Sequence, residues 1–399
     1  MAFRLSQRVQ RIKPSPTLMI DSKAKKMIAD GIDVVSFGAG EPDFDTPEPV
    51  KEAAIKALKA GKTKYTPVGG IPELKDAIIA KLKRDNHLDY TRDEILVSVG
   101  GKHALYNIAQ TLFEAGNEVI IPSPYWVSYP DQVLLNDAKP IIVPTDEKDG
   151  FCIRPEVLEN AITARTKAFI LNSPSNPTGG AYPKKRLEEI AEVLVRHNVV
   201  CISDEIYEKI VYDGFQFVSI ASLNDRIKAL TLTVNGASKV YSMTGWRMGY
   251  TAGPKEILDA MAKLQGQVTS NINSITQWAC VEALNGSQDF LKGWIGEFKK
   301  RRDFIVKSFN EIPGVTCFNP QGAFYVFPNI SAYFGKKIGG KTIQGSDDLA
   351  DYLLEQALVA VVPGSGFGAD NYIRLSYATS MGQIQKGMGR IEKALKELI

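Results

Sequence analysis

Hydrophobic and polar residues follow two different periods along this chain. Stretches with apolar residues every three or four positions have the spacing of a helix with one buried face. They alternate with short, continuous apolar runs of the kind that form buried strands. The first pattern predicts helices over 48–60, 71–83, 102–112 and 184–197. The second predicts strands over 94–99, 118–121, 141–143, 168–171, 199–202 and 229–234. Strands alternating with helices predict an α/β fold with a buried, mainly parallel sheet.

The pattern changes near Gly293. A long charged helix is predicted there, followed by a strand-like run over 322–327, a helix over 347–356 and a final helix over 381–398. A chain of 399 residues is long enough for two domains. We therefore expect a large domain over residues 48–292 and a smaller α/β domain over 293–399. Residues 1–47 are expected to form an N-terminal arm and part of the small domain.

Composition and charge exclude several classes of protein. Lysine and arginine number 48 against 45 acidic residues, and this near balance gives no electrostatic reason to expect nucleic-acid binding. No apolar run approaches the roughly 20 residues that cross a bilayer, so we expect no membrane span. Three histidines and four scattered cysteines argue against a metal site and against a Cys–His hydrolase. A cytoplasmic enzyme is the default expectation.

Polar and glycine-rich segments follow five of the predicted strands. In an open parallel sheet, ligands bind beyond the carboxyl ends of the strands. The segments are 100–102, 124–126, 172–179, 203–207 and 235–239. Their positions predict that all five meet at one crevice.

Lys239 carries the most specific chemistry in these segments. It follows a turn of small residues, Asn235–Ser238, directly after a predicted strand. A lysine can form a Schiff base with a carbonyl compound, and Arg247, eight residues further on, can bind a phosphate through its planar fork. A ligand with both an aldehyde and a phosphate is pyridoxal 5′-phosphate (PLP). Taken alone, the run also fits a surface lysine and arginine on a turn.

Four other residues have two interpretations each. Gly101 precedes a predicted helix whose N–H groups suit a phosphate, or it serves a tight turn. Asp204 ends an apolar run and suits a protonated pyridine nitrogen, or it caps a helix. Trp126 stacks on a flat ring or fills the core. Arg374 alternates with apolar neighbours, and it binds a substrate carboxylate or an internal acid.

These residues, in this order, resemble the class I, fold-type I PLP aminotransferases, in the branch of the bacterial aspartate and aspartate/prephenate aminotransferases. The resemblance runs from about Arg11 to the end of the chain. The motifs that carry it are Gly40–Pro47, Lys64–Thr66, Gly100–Lys102, Pro124–Tyr129, Asn176–Gly179, Ser203–Tyr207, Ser238–Lys239 with Thr244–Arg247, and Arg374–Ser380. It implies a large domain with a mainly parallel seven-stranded sheet flanked by helices, and a smaller α/β domain.

The resemblance also implies roles for individual residues. Lys239 attaches the cofactor and transfers the proton, Asp204 pairs with the pyridine nitrogen, and Arg374 binds the substrate α-carboxylate. The implied cofactor contacts are Tyr65, Gly101, Lys102, Trp126, Asn176, Asp204, Tyr207, Ser238, Lys239 and Arg247. The implied substrate contacts are Lys13, Gly40, Thr66, Lys102, Trp126, Asn176 and Arg374. Tyr65 is expected to reach the phosphate of a neighbouring subunit, so a homodimer with shared sites is implied.

The implied reaction is transamination between L-aspartate or L-glutamate and 2-oxo acids. The combination of Lys13, Thr66 and Lys102 is similar to members that also convert prephenate to L-arogenate, so we expect this activity as well. An aspartate aminotransferase without prephenate activity stays open, as does another fold-type I aminotransferase or a carbon–sulfur lyase. A DNA-binding regulator is disfavoured because no basic helical domain precedes Arg11, and a nicotinamide dehydrogenase because no complete GxGxxG motif is present.

Overall fold

The computed structural model describes residues 3–338 and 340–398. Its strands are β1 (Val35–Ser36), β2 (Ile95–Ser98), β3 (Glu118–Ser123), β4 (Lys139–Pro144), β5 (Thr166–Asn172), β6 (Val200–Asp204), β7 (Thr231–Gly236), β8 (Gly249–Ala252), β9 (Tyr325–Val326), β10 (Lys337–Ile338), β11 (Lys341–Thr342), β12 (Val359–Ala360), β13 (Val362–Pro363) and β14 (Ile373–Ser376).

The α-helices account for most of the remaining regular structure. They are α1 (Gln7–Arg11), α2 (Pro16–Ala29), α3 (Glu48–Lys59), α4 (Pro72–Asn86), α5 (Gly100–Leu112), α6 (Ser128–Leu134), α7 (Pro155–Ala161), α8 (Lys184–His197), α9 (Asp225–Lys228), α10 (Lys255–Val268), α11 (Ser274–Asn285), α12 (Phe290–Asn310), α13 (Ser346–Gln356) and α14 (Met381–Glu397). None of these described helices is long and apolar enough to cross a bilayer.

A seven-stranded sheet forms the centre of the large domain, in the order β2-β8-β7-β6-β5-β3-β4. Only β8 runs against the other strands, because it pairs antiparallel with both β2 and β7 while the remaining pairs are parallel. The predicted α/β fold with a mainly parallel sheet is confirmed. Strand β8 was not predicted, because its sequence Gly-Tyr-Thr-Ala is short and has no apolar run.

Helices cover both faces of this sheet. On one face, Leu105 and Ile108 of α5 pack with Leu232 of β7. On the other, Leu187 and Ile190 of α8 pack with neighbouring strands. This burial on both faces explains why the strands appear in the sequence as continuous apolar runs.

A second core lies around an antiparallel sheet of β13, β14 and β9. Helices α12, α13 and α14 contribute Ile305, Leu353 and Ile391 to this core. Strand β1 pairs with β12, so the N-terminal region joins the C-terminal elements. The strand predicted over 322–327 is shorter than expected, because only Tyr325 and Val326 pair in a sheet. The predicted domain limits stay a prediction.

Candidate active site

The carboxyl ends of the parallel strands open into a cavity of about 360 Å³. Each of the five predicted segments contributes to its wall. The lining residues at these strand ends are Gly101, Lys102, Trp126, Asn172, Asn176, Asp204, Tyr207, Ser238 and Lys239. Gly40, Thr244, Arg247, Tyr325 and Arg374 approach from other parts of the chain, and Ser15, Thr17 and Leu18 add a wall from the N-terminal region.

The amine of Lys239 lies inside this cavity, although the residue is partly exposed, and it has no described acidic partner within hydrogen-bond distance. Its Nζ donates to the carbonyl oxygen of Gly40 at 2.5 Å and lies 5.9 Å from the centre of the Tyr207 ring. Burial lowers the pKa of the amine to about 8, and the charges of Arg374 and Arg247 act in the same direction. The neutral amine needed for attack on a carbonyl is therefore accessible near neutral pH.

Asp204 is the last residue of β6, and its carboxylate is buried at one side of the cavity. The Tyr129 hydroxyl donates to its Oδ2 at 2.7 Å, and the Ile206 N–H donates to its Oδ1 at 3.3 Å. Burial raises the pKa of this carboxyl to about 6. A cationic ligand nitrogen would offset that cost of burial. The alternative role as a helix cap is not supported, because a turn follows Asp204.

Helix α5 begins at the cavity, and its N-cap residue, Val99, has no side chain that can accept from the first N–H groups. These N–H groups are therefore suited to an anion. Gly100 has φ 79°, and a Cβ there would lie 2.5 Å from Nη2 of Arg247. Glycine thus gives the guanidinium room beside the helix start. The Arg247 Nη1 donates to the Thr244 carbonyl oxygen at 2.8 Å. This end of the cavity combines a cation and a helix N-terminus, which suits a phosphate.

Arg374, in β14, lies at a different part of the cavity wall and is 2% exposed. Its Nη1 donates to Asn176 Oδ1 at 3.0 Å and its Nη2 to the Gly38 carbonyl oxygen at 2.6 Å. Its Nε is buried without a hydrogen-bond partner among the described residues. Since both acceptors are neutral, the internal salt bridge considered from the sequence is not the arrangement found. A buried guanidinium with this surplus charge suits a carboxylate ligand.

The lining residues that received no role from the sequence include Tyr129, Asn172 and Tyr325. The Tyr325 hydroxyl lies 2.8 Å from that of Tyr207, which continues the polar lining between Asp204 and Arg374. Tyr129 follows Trp126 by three residues, and its N–H donates to the Trp126 carbonyl oxygen at 3.0 Å in the turn that leads into α6. That spacing was the available signal for Tyr129. Tyr325 had only its position in a predicted strand.

Three predicted residues do not line the cavity of the single chain. The Tyr65 side chain is 93% exposed, and Thr66 accepts a hydrogen bond from Gln277 Nε2 at 2.9 Å. Lys13 is exposed. Burial raises the pKa of Asp131, and the charges of Lys13 and Lys102 partly oppose that rise. Lys102 itself places its Nζ 4.9 Å from the centre of the Trp126 ring.

Comparison with known proteins identifies the family of this chain. The family described as "Aminotransferase class I and II" matches residues 32–391. The chain belongs to this family. A "Probable aspartate/prephenate aminotransferase" of Rickettsia bellii is 49% identical to this aminotransferase, over 99% of both chains. An "Aspartate aminotransferase" of Geobacillus stearothermophilus is 50% identical, again over 99% of both.

Solved structures agree with this assignment. The aspartate aminotransferase of Rhizobium meliloti is 48% identical, with a TM-score of 0.96 over 100% of both chains. The Thermus thermophilus enzyme with maleate is 44% identical, with a TM-score of 0.93 over 98% of this chain and 100% of that one. The resemblance inferred from the motifs is confirmed at the level of the family and of the fold.

PLP is the cofactor of this family, and the cavity fits its three reactive ends. The buried amine of Lys239 suits the aldehyde, the carboxylate of Asp204 suits a protonated pyridine nitrogen, and the start of α5 with Arg247 suits the phosphate. When bound, the cofactor supplies an aldehyde carbon and a ring that accepts electrons. No group of acidic, histidine and cysteine side chains suited to a metal ion occurs among the described residues.

Proposed function

We propose that this aminotransferase transfers the amino group between L-aspartate or L-glutamate and the 2-oxo acids oxaloacetate and 2-oxoglutarate. The observation that carries the proposal is a buried Lys239 amine in one cavity with the Asp204 carboxylate and the Arg374 guanidinium, which has no described acidic partner. Transamination of an amino acid needs three features: a base near the substrate Cα, an anion beside the electron-accepting ring of PLP, and a cation for the α-carboxylate.

Lys239 would act as the base that removes the proton from the substrate Cα and returns it to the cofactor carbon. Burial favours this role, because it lowers the pKa of the amine to about 8 and so keeps a neutral fraction available. Asp204 would keep the pyridine nitrogen protonated. Arg374 would bind the α-carboxylate with Asn176, and the carbonyl oxygen of Gly40 would lie over the same substrate.

The remaining cofactor contacts follow from the cavity wall. Trp126 would stack on the ring, and Tyr207 with Asn176 would donate hydrogen bonds to the ring oxygen. The phosphate would lie among Gly101, Lys102 (through its backbone), Ser238 and Arg247. These assignments agree with the lining residues and with their charges.

A second cation would bind the distal carboxylate of a dicarboxylic substrate. Lys102 lines the cavity. Lys13 lies near it, because both lysines lower the pKa of the Asp131 carboxyl. The names of the relatives from Rickettsia bellii and Geobacillus stearothermophilus support aspartate as a substrate. Maleate, present in the Thermus thermophilus structure, is itself a dicarboxylate. We further propose prephenate as an acceptor, supported by the name of the Rickettsia relative and by Lys13, Thr66 and Lys102.

The active enzyme is proposed to be a homodimer with shared sites. Tyr65 is a large side chain that is 93% exposed, next to Thr66, and both were expected to contact ligands although neither lines the cavity of its own chain. A second copy of the chain would bring Tyr65 to the phosphate and Thr66 to the substrate.

A half-reaction measured by absorbance tests these proposals. Protein loaded with PLP is mixed with L-aspartate, and loss of the visible band is expected as the cofactor takes up the amino group. After removal of small molecules, return of the band with oxaloacetate or 2-oxoglutarate establishes transamination. Return with prephenate adds the second activity, and no return with prephenate would overturn it. No loss of the band with aspartate would overturn the dicarboxylate assignment. A Lys13→Ala variant is expected to slow the prephenate step.

A further inference from the structure

A buried ionic cluster lies behind the cavity wall and takes no part in the chemistry described above. It consists of Lys81 and Asn86 of α4, Glu208 in the turn after β6, and Asn235 near the end of β7. All four side chains are buried. We propose that Glu208 is a positioning residue that fixes the segment carrying Lys239, acting through Asn235; this inference rests on the role proposed for Lys239.

Glu208 is the centre of the cluster. Lys81 Nζ donates to its Oε1 in a short ion pair, and Asn86 Nδ2 donates to its Oε2 at 2.6 Å. Asn235 Nδ2 also donates to Oε1, at 2.8 Å. One carboxylate therefore joins α4, the turn after β6 and the end of β7.

Asn235 transmits this attachment to the backbone before Lys239. Its Oδ1 accepts a hydrogen bond from the Gly236 N–H at 2.7 Å, three residues before the lysine. A Cβ at Gly236 would lie 2.6 Å from the Met248 carbonyl oxygen, so the backbone is tightly enclosed there. The turn from Asn235 to Lys239 is thus fixed on one side by Glu208 and on the other by the strand after the active-site segment.

Glu208 also connects the Lys239 segment with the turn that follows Asp204. Glu208 lies four residues after Asp204 and directly after Tyr207, in a turn closed by a hydrogen bond from the Glu208 N–H to the Glu205 carbonyl oxygen at 3.0 Å. A buried ion pair adds little stability compared with an apolar pair of similar volume. Strands β6 and β7 already pair with each other up to Asp204 and Val234, so the geometric effect of Glu208 falls on the turn beyond that pair, which leads from Asn235 to Lys239.

Binding of two forms of the cofactor separates this role from general stability. PLP has the aldehyde that bonds to Lys239, whereas pyridoxamine 5′-phosphate has none and binds without that bond. Loss of positioning in Glu208→Gln is expected to weaken PLP binding and slow its attachment by about 10- to 100-fold, the scale of a misplacement near 1 Å. Binding of pyridoxamine 5′-phosphate is expected to stay unchanged. Attachment is followed by borohydride trapping and mass measurement of the lysine peptide.

Glu118→Gln is the matched control for this experiment. Glu118 is also a buried glutamate, paired with Arg165 Nη2 at 2.7 Å, but it is the first residue of β3 and so lies at the amino-terminal end of its strand, whereas the cavity lies at the carboxyl ends. It is expected to lose stability without any change in the ratio of the two affinities. Asn235→Ala removes the contact between Glu208 and the backbone at Gly236. If Glu208→Gln alone fails to fold, combining it with Lys81→Met keeps the charge of the cluster balanced.

Equal weakening of both cofactor forms in Glu208→Gln and Asn235→Ala, or no weakening of either, would overturn the positioning role. Failure of the underlying assignment has a different signature. If Lys239→Ala still forms a trapped adduct at the cavity, then Lys239 is not the attachment residue, whatever the Glu208 variant does.

Discussion

The Tyr129 hydroxyl makes the shorter of the two hydrogen bonds to the buried Asp204 carboxylate. The hydroxyl donates to Oδ2 at 2.7 Å, and the Tyr129 ring meets the Trp126 ring edge-on with centroids 5.3 Å apart. One tyrosine therefore contacts both the residue proposed to pair with the pyridine nitrogen and the residue proposed to stack on the ring. Its hydroxyl favours the charged form of Asp204, whose pKa burial raises to about 6.

Replacement Tyr129→Phe is expected to raise the pKa of Asp204 further, because the donor to the charged carboxylate is lost. The acid limb of the kcat/KM profile should move to higher pH, since Asp204 acts as the anion. A fall in kcat of roughly tenfold is expected from the loss of about 1.5 kcal/mol. Tyr125→Phe, at a neighbouring tyrosine that does not line the cavity, is the control. An unmoved acid limb would contradict this role.

Replacement Arg374→Lys keeps the charge and removes the planar fork. A lysine cannot make the paired hydrogen bonds of a guanidinium to a carboxylate. The KM for L-aspartate is therefore expected to rise about 10- to 100-fold, equivalent to about 1.4 to 2.8 kcal/mol. The corresponding amine without an α-carboxylate should react equally slowly with both proteins. Steady-state kinetics with the two substrates decide the matter, and an unchanged KM for L-aspartate would count against carboxylate binding by Arg374.

Residues at the strand ends could be predicted individually, but not their partners. Asp204 was recognisable because a carboxylate at the end of an apolar run needs a counter-group. Its partner Tyr129 lies 75 positions away in the chain, and nothing local in either segment indicates that α6 brings them together. The alternative partners of Arg374 were equally undecided, because the neutral acceptors Asn176 and Gly38 come from two distant segments.

Among the elements, those with clear boundary signals were predicted best. Helix α8 was predicted with both ends correct, because Pro183 precedes it and Asn198, with φ 53°, ends it in a left-handed conformation. Helix α11 was not predicted. Its sequence, SITQWACVEALN, carries apolar residues without a clear polar face, so the periodicity gives no signal. Strand β8 was not predicted because its extended conformation depends on pairing with β2 and β7, which its own sequence does not reveal.

The turn after β6 also contains a second buried glutamate, Glu205. Its Oε1 accepts hydrogen bonds from Ser203 Oγ at 2.8 Å and Ser219 Oγ at 2.7 Å. Burial raises the pKa of this carboxyl from 4.5 to about 8, with the nearby charge of Glu208 as the second cause. The folded protein therefore holds a proton here that the unfolded chain has released above pH 4.5.

The free energy of unfolding is consequently expected to fall as pH rises between about 4.5 and 8, because the folded state binds this proton and the unfolded state does not. The contribution is complete below the lower value and lost above the higher one. A Glu205→Gln variant stays neutral throughout, so its free energy of unfolding should decline less over this range. Urea unfolding at several pH values compares the two proteins, and parallel pH curves would contradict the assignment.

The surface of the chain has large apolar side chains that its own fold does not cover. Phe3 and Tyr65 are each 93% exposed. In the proposed homodimer Tyr65 belongs to the site of the neighbouring subunit, so each site draws its lysine and its tyrosine from different chains. This arrangement has a consequence that subunit mixing can measure.

Mixing Lys239→Ala with Tyr65→Ala protein should restore activity. In a mixed dimer one site receives both changes, while the other receives neither. At limiting PLP, where the Tyr65→Ala homodimer binds cofactor poorly, each mixed dimer is expected to have about half the activity of the unchanged enzyme, since one of its two sites is intact. Size-exclusion chromatography of differently tagged chains verifies mixing. Activity no greater than the sum of the two parents, in verified mixed dimers, would contradict shared sites.

Two glycines next to the cavity-lining residues Gly101 and Arg247 are tightly enclosed. Gly100 has φ 79°, and a Cβ there would lie 2.5 Å from Arg247 Nη2, while a Cβ at Gly249 would lie 2.3 Å from the backbone nitrogen of Gly101. Another part of the wall, with Ser15, Thr17 and Leu18, comes from the N-terminal region of the chain. Directed evolution toward new substrates should therefore succeed with libraries at these three positions, while libraries at the two glycines should yield mostly inactive clones.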